Sequence, residues 1–345
     1  MRTILLTLLF SSAIHAQTMP QLVPIPAGSP ALDPHAGTTS FTFVVAGDNR
    51  PAKAKCALTP QFKDVRHAIE NLQPAFVLWD GDIVYGKDTS TVAGQYPAYL
   101  KEIAKAKVPV FVAPGNHELN VLGTIPCNGG KPYDQPDPSG QMAAAYTSAI
   151  GSLYGVFRYG NAAFIAVNTD DALNGEYTPS GPCAYNGYVG NAQLAALAST
   201  LDALQADNTI AHIFAFMHRP LQPEVAYDAI SPTTVPQILK LYQLLQPSQN
   251  VPWPYTKLSF LFASHEHLFY IYDPTGSLGQ TGPYKRTDPS TTGPNYVVTG
   301  GAGAPLMTNV TSGSFFHYLV VNVNGNDVTV TVMKISDSSN NCPKS

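Results

Sequence analysis

Residues 41–50 read Phe41-Thr42-Phe43-Val44-Val45-Ala46-Gly47-Asp48-Asn49-Arg50. A largely apolar run stops at a Gly-Asp step, and similar runs follow along the chain. Phe76–Trp79 ends at Asp80-Gly81-Asp82, and Val108–Ala113 ends at Pro114-Gly115-Asn116-His117. Ile213–Met217 ends at His218, and Leu258–Ala263 ends at Ser264-His265-Glu266-His267. Short runs of this kind suit strands covered on both faces, with the intervening stretches as crossovers. Thr59-Pro60 opens a helix through about Leu72, with Phe62, Val65 and Ile69 on one face. Asn191 caps another, in which Leu194, Leu197, Leu201 and Leu204 recur at helical spacing. Phe315–Val323 and Val328–Met333 alternate as strands around a turn at Asn324-Gly325. The pattern predicts an α/β fold.

The ends of the chain read differently. Arg2, the apolar Ile4–Phe10 and the small-residue site Ile14-His15-Ala16 form an export signal over residues 1–16, so a secreted or periplasmic location is expected. Residues 17–40, rich in Pro, Ala and Gly, are an extended lead-in. One domain is expected over residues 41–335, followed by a tail at 336–345. No apolar run reaches the ~18 residues of a membrane span, so no membrane anchor is expected. Segments 118–141, 169–188 and 273–295 are long for connectors and are candidate site-lining loops.

Composition narrows the partners. The chain has 345 residues, 44% of them hydrophobic, which excludes global disorder. Lys and Arg number 19 against 23 Asp and Glu, a net charge of -4, so neither nucleic acid nor an anionic membrane is an expected partner. Cys56, Cys127, Cys183 and Cys342 allow up to two disulfides, with the pairing open, and none has zinc-cluster spacing.

The run ends share a chemistry. Asp48, Asp82, Asn116, His218, His265 and His267 carry oxygens and nitrogens that bind metals. In open α/β sheets ligands gather beyond the carboxyl ends of the strands, so these residues are expected to converge. Carboxylates mixed with imidazoles suit Fe, Zn or Mn better than Ca, and the lack of thiolates argues against a structural zinc. The reading is a catalytic pair of metal ions.

In order, Gly47-Asp48, Gly81-Asp82-Ile83-Val84-Tyr85, Gly115-Asn116-His117-Glu118, His218 and His265-Glu266-His267 resemble the calcineurin-like metallophosphoesterases. The resemblance runs from about Phe41 to Pro305 and takes in Gly300-Gly301-Ala302-Gly303. Arg50 stands where that family's first motif, Asp-x-His, has its histidine. Tyr85 stands three residues after Asp82, where the purple acid phosphatases carry a metal-binding tyrosine and likewise lack that histidine.

The resemblance implies a four-layer α/β/β/α sandwich of two mixed sheets. It also implies two ligand sets: Asp48, Asp82, Tyr85 and His267 for one ion, and Asp82, Asn116, His218 and His265 for the other, with Asp82 shared. A phenolate favours Fe(III), paired with divalent Fe, Zn or Mn. Two carboxylates, the phenolate and a bridging hydroxide then leave one net positive charge to attract phosphate, where two divalent ions leave none. The hydroxide would attack phosphorus while the ions neutralise the phosphoryl oxygens. His117 is placed to protonate the leaving alkoxide or bind a phosphoryl oxygen, with Glu118 orienting it. Arg50 and Arg219 either fork the phosphate or form structural ion pairs.

The expected substrate is a small-molecule phosphoester, with a phosphomonoesterase of acid-phosphatase type favoured. A phosphodiesterase or nucleotidase is the alternative within the class. A one-metal hydrolase follows if Tyr85 does not bind. A non-catalytic binding protein stabilised by its metals is the reading from another class. The oligomeric state is open.

Overall fold

The structure, a computed structural model, describes residues 18–25, 32, 37–56, 58–126, 132–172, 185–225, 230, 236–247, 252–272, 283–287, 293–308, 310 and 312–336. The expected export signal, the tail beyond 336, Cys127, Cys183 and Cys342 lie outside these residues, as does most of 169–188 and 273–295. Cys56 is disulfide-bonded.

In chain order the first half holds β1 (Ser40–Ala46), α1 (Pro60–Leu72), β2 (Val77–Trp79), α2 (Thr89–Ile103), β3 (Val110–Val112), α3 (Asn116–Leu119), β4 (Asn120–Pro126), β5 (Pro132–Pro136) and α4 (Gln141–Ala149). The second half holds β6 (Gly155–Tyr159), β7 (Ala162–Val167), α5 (Asn191–Ala206), β8 (His212–Met217), α6 (Pro236–Leu245), β9 (Leu258–Ala263), β10 (Phe269–Tyr272), β11 (Tyr284–Thr287), β12 (Asn295–Thr299), β13 (His317–Asn324) and β14 (Asp327–Lys334). Two six-stranded sheets result, ordered β11-β14-β13-β1-β2-β3 and β10-β12-β9-β8-β7-β6. Both are mixed: β1, β2 and β3 are parallel, as are β7, β8, β9 and β12, while β13 and β6 pair antiparallel with their neighbours.

Alternation along each strand explains the layers. Phe43 and Val45 of β1 and Phe214 and Phe216 of β8 point into one shared core between the sheets. Val44 and Ala46 turn outward onto α1 and α2, and Ile213, Ala215 and Met217 turn outward onto α5 and α6. The inner core is rich in phenylalanine. Phe111 and Phe157 stack across the two sheets at 3.7 Å, and Phe43 meets Phe164 edge-on at 5.2 Å. Such pairs add about 0.5–1.5 kcal/mol each beyond the area they bury. The four-layer α/β/β/α sandwich is present.

Details depart from the sequence reading. Thr59 caps α1 as expected, its side chain accepting from the Phe62 amide at 3.2 Å. Asn191 does not cap α5: Gly190 holds that position, and Asn191 is the first helical residue. Segment 118–141 is not one loop, because β4 and β5 pair antiparallel within it. The lead-in is part of the fold. Its backbone bonds to the edge strand of each sheet, through Leu22 and Val156 and through Ile25 and Val110. Met19, Leu22 and Ile25 each bury in a different one of the three cores, so residues 18–25 strap the layers together.

His317, on β13, is wholly buried, and its Nδ1 donates to the Phe315 carbonyl at 2.9 Å. Burial pushes its imidazole down from 6.5 to about 4. The unfolded chain therefore binds the extra proton first. Stability from this group is complete above pH 6.5 and declines as the pH falls toward 4, by about 3 kcal/mol. Denaturant unfolding at pH 7.5 and 4.5 should show His317→Gln losing less on acidification than the parent. Equal losses would remove the assignment.

Candidate metal centre

The parallel strands of both sheets deliver the site from their carboxyl ends. Asp48 follows β1, Asp82 follows β2, Asn116 follows β3, His218 follows β8, and His265 and His267 follow β9. Three of these residues leave their strands in the left-handed region, Asp48 at φ 58°, Asp82 at 51° and His265 at 70°. Each such residue costs on the order of 1–3 kcal/mol and persists only where its surroundings fix it. Here the Asp48 amide donates to Gly81 O at 3.1 Å and the Arg50 amide to Asp82 O at 3.0 Å. Two glycines let the loops close. A Cβ on Gly81 would stand 2.9 Å from His218 Nδ1, and one on Gly300 would stand 2.6 Å from Asp48 Oδ2.

Three candidate ligand atoms gather around a fourth, His218 Nε2. His218 Nε2 lies 2.8 Å from Asn116 Oδ1, 3.3 Å from Asp82 Oδ1 and 3.1 Å from His265 Nδ1. His265 Nδ1 is 3.2 Å from Asn116 Oδ1. Donor atoms about 2.1 Å from a single ion stand roughly 3 Å apart in an octahedron, so the spacing suits one cation. Beside this group, Asp48 Oδ1 is buried without a hydrogen-bond partner among the described residues, 3.5 Å from His267 Nε2. Oxygens or nitrogens of Asp48, Asp82 and His218 all lie within 4.8 Å of one another. An orphaned buried carboxylate oxygen is what a cation would satisfy. These residues fit a metal centre.

Electrostatics agree. Burial pushes the Asp82 carboxyl up, with Asp48 adding to the shift, and His218, Arg50 and Lys87 do not offset it. Burial also opposes ionisation of Asp48, yet His267, His218 and Arg50 hold that carboxyl below its usual value. Bound cations favour both carboxylates. Burial, Arg219 and His218 push His265 well below the usual imidazole value, the neutral form that ligates.

Backbone carbonyls set two imidazoles. His218 Nδ1 donates to Asp80 O at 2.9 Å and His267 Nδ1 donates to Pro305 O at 2.6 Å, leaving each Nε2 lone pair facing the centre. Two buried carboxylates tie the loops together. Glu118 accepts from the amides of Gly115, Asp82, Ile83 and Val84 at 2.7–3.2 Å. Glu266 accepts from those of Glu224 and Val225 at 2.8 and 2.6 Å. Glu118 therefore does not orient His117, as the sequence suggested; its oxygens are taken by backbone.

The remaining candidates fall around the centre. His117 bonds through Nδ1 to the Tyr85 carbonyl, and its Nε2 lies 3.7 Å from Asp82 Oδ2. Burial, Arg50 and Lys87 push its imidazole well below the usual value. The Tyr85 ring stands edge-on to His117 at 5.6 Å. Its hydroxyl makes no hydrogen bond to Asp48, Asp82 or His267 among the described residues. Arg50 Nε bonds Asp82 Oδ2 at 3.2 Å. Arg219 is buried in an ion pair with Asp170 at 3.0 Å, and its Nη1 lies 3.1 Å from His265 Nε2. Glu266 and Asp170 are not among the site residues that the sequence marks. A residue between two ligand histidines and one just past β7 were the available signals.

The sequence profile of the calcineurin-like phosphoesterases matches residues 33–269. The chain belongs to that family, whose members are metal-dependent phosphoesterases. No curated protein matches the sequence. Among solved structures, a purple acid phosphatase from yellow lupin (Lupinus luteus) seeds is similar at TM-score 0.60 and 17% identity, over 90% of this chain and 54% of that one. This chain thus spans about half the length of the lupin protein. A dimetal phosphatase from Danio rerio is similar at TM-score 0.53 and 16% identity, over 87% of this chain and 100% of that one.

Glu118→Gln would place an amide N–H₂ against backbone N–H donors, stranding them at about 1–3 kcal/mol. Calorimetry should show the melting temperature lowered by several degrees. An unchanged melting temperature would mean that these amides find other partners.

Proposed function

We propose that the chain is an exported phosphomonoesterase that works with two metal ions. The observation that carries this reading is the meeting of Asp82, Asn116, His218 and His265 at the spacing of ligands around one ion, with the orphaned Asp48 oxygen and His267 beside them. Asp48, Asp82, His267 and Tyr85 would hold the second ion. Three anionic ligands there favour Fe(III), with divalent Fe, Zn or Mn as its neighbour. When bound, the ions would supply an activated water and neutralise charge on the phosphoryl oxygens. The disulfide at Cys56 supports export into an oxidising compartment. Both solved structures described above are named as phosphatases, which favours phosphate ester cleavage over a purely structural use of the metals.

The chain's own residues do the rest. His117 is fixed through Nδ1 by the Tyr85 carbonyl, which leaves Nε2 free. Burial, Arg50 and Lys87 keep the resting imidazole neutral, so passing a proton from Nε2 to the leaving alkoxide requires that the charge of the bound phosphate first protonate the ring. Arg50, half-buried on Asp82, adds positive charge where a phosphate would approach. Asp82 joins the two ligand sets, so removing it dismantles both.

Steady-state hydrolysis of aryl and alkyl phosphates by metal-loaded protein tests the reading. Turnover of monoesters should exceed that of diesters, and Asp82→Ala should abolish both with the fold retained. His117→Ala should slow alkyl esters, with their poor leaving groups, far more than nitrophenyl esters. Activity surviving in Asp82→Ala would defeat the two-metal scheme, and equal losses in His117→Ala would remove the proton-donor role.

A further inference from the structure

Asn116 reaches the centre through Oδ1, yet an amide side chain presents two nearly isosteric faces, only one of which ligates. Turned over, it would aim N–H₂ at His218 and His265 and repel a cation. Something must choose the face. Asn116 Nδ2 lies 2.5 Å from Asp134 Oδ2, on β5 in the hairpin that follows the ligand turn. A carboxylate oxygen accepts and does not donate, so the group facing it must be N–H₂, which leaves Oδ1 for the metal. The same Asp134 oxygen also receives Lys87 Nζ, a buried lysine held in the left-handed region at φ 75°. The hairpin backbone meets Lys87 as well, the Leu122 amide donating to Lys87 O at 3.4 Å. Asp134 is thus fixed by Lys87 while it fixes Asn116.

We infer that Asp134 is a positioning residue that selects the ligating face of Asn116, and that through it the β4–β5 hairpin controls occupancy of the metal position shared by Asp82, Asn116, His218 and His265. The hairpin then does more than line the site. The inference rests on the reading of Asn116 as a metal ligand. Loss of such an outer partner typically weakens metal binding by roughly 10–100-fold.

The test is Zn²⁺ or Mn²⁺ binding to metal-free full-length protein, measured as stoichiometry and affinity by equilibrium dialysis. The parent should bind two ions. Asp134→Ala should keep one and hold the other at least about tenfold more weakly. Asp134→Asn, whose carbonyl still accepts from Asn116, should restore the second ion. Lys87→Met, which removes the ion pair and leaves the amide contact, should bind two ions while melting at a lower temperature. Parent binding of two ions with unchanged affinity in Asp134→Ala would overturn the inference alone. So would equal losses in Lys87→Met and Asp134→Ala, or no rescue by Asp134→Asn, which also decides the matter should Asp134→Ala fail to fold. A parent whose ion binding is unchanged by Asn116→Ala would overturn the ligand reading of Asn116 and this inference with it.

Discussion

Lone pairs aimed at a common point repel one another, and burial removes the water that would screen them. That is the condition around His218 Nε2, Asn116 Oδ1, Asp82 Oδ1 and His265 Nδ1, all within 2.8–3.3 Å of a neighbour in the set. Asp48 adds an oxygen with no hydrogen-bond donor among the described residues. Nothing in an apolar core would bring such atoms together, and a cation is the simplest partner that makes the arrangement favourable. The two sheets serve that end. Their parallel strands point the same type of end toward one edge of the sandwich, and a shared phenylalanine core fixes the distance between them.

Local strain is the cost of bringing the side chains in. Asp48, Asp82 and His265 adopt the left-handed region at the turns where their strands end. The ties that hold them are mostly side chain to backbone: Glu118 gathers amides from two ligand loops, and Glu266 anchors the chain that follows His218. Asp170 engages Arg219 behind His265, where burial opposes ionisation but Arg219 outweighs it and holds the carboxyl below its usual range. Acidic residues thus recur around the centre in two roles. Asp48 and Asp82 face the metal positions, whereas Glu118, Glu266 and Asp170 face amides or a guanidinium and keep the frame rigid.

The central strands and the proposed ligands were readable because one pattern, an apolar run stopping at a metal-binding residue, marks both at once. Leu258–Ala263 is a strand over those same residues, and Thr59 caps the helix it was expected to cap. Other parts carry no such signature. Helix α2 contains Gly94 and Pro97, which break a helical pattern, and its existence depends on packing and on the Asp88 cap. The lead-in buries Met19, Leu22 and Ile25 against three different cores, a periodicity that matches neither helix nor strand. Asp134, Asp170 and Glu266 act through contacts with residues far along the chain, and only the folded molecule brings those together.

The central claim is that side chains from five strand ends assemble around two cations. Anomalous diffraction from crystals of the metal-loaded protein, collected at the iron edge and at that of the second metal, tests it most directly. The account predicts two peaks sharing Asp82, one enclosed by Asn116, His218 and His265, and an iron peak enclosed by Asp48, His267 and the Tyr85 phenolic oxygen. A loaded crystal with no ordered ion at these atoms, or with its ions bound elsewhere, would contradict it.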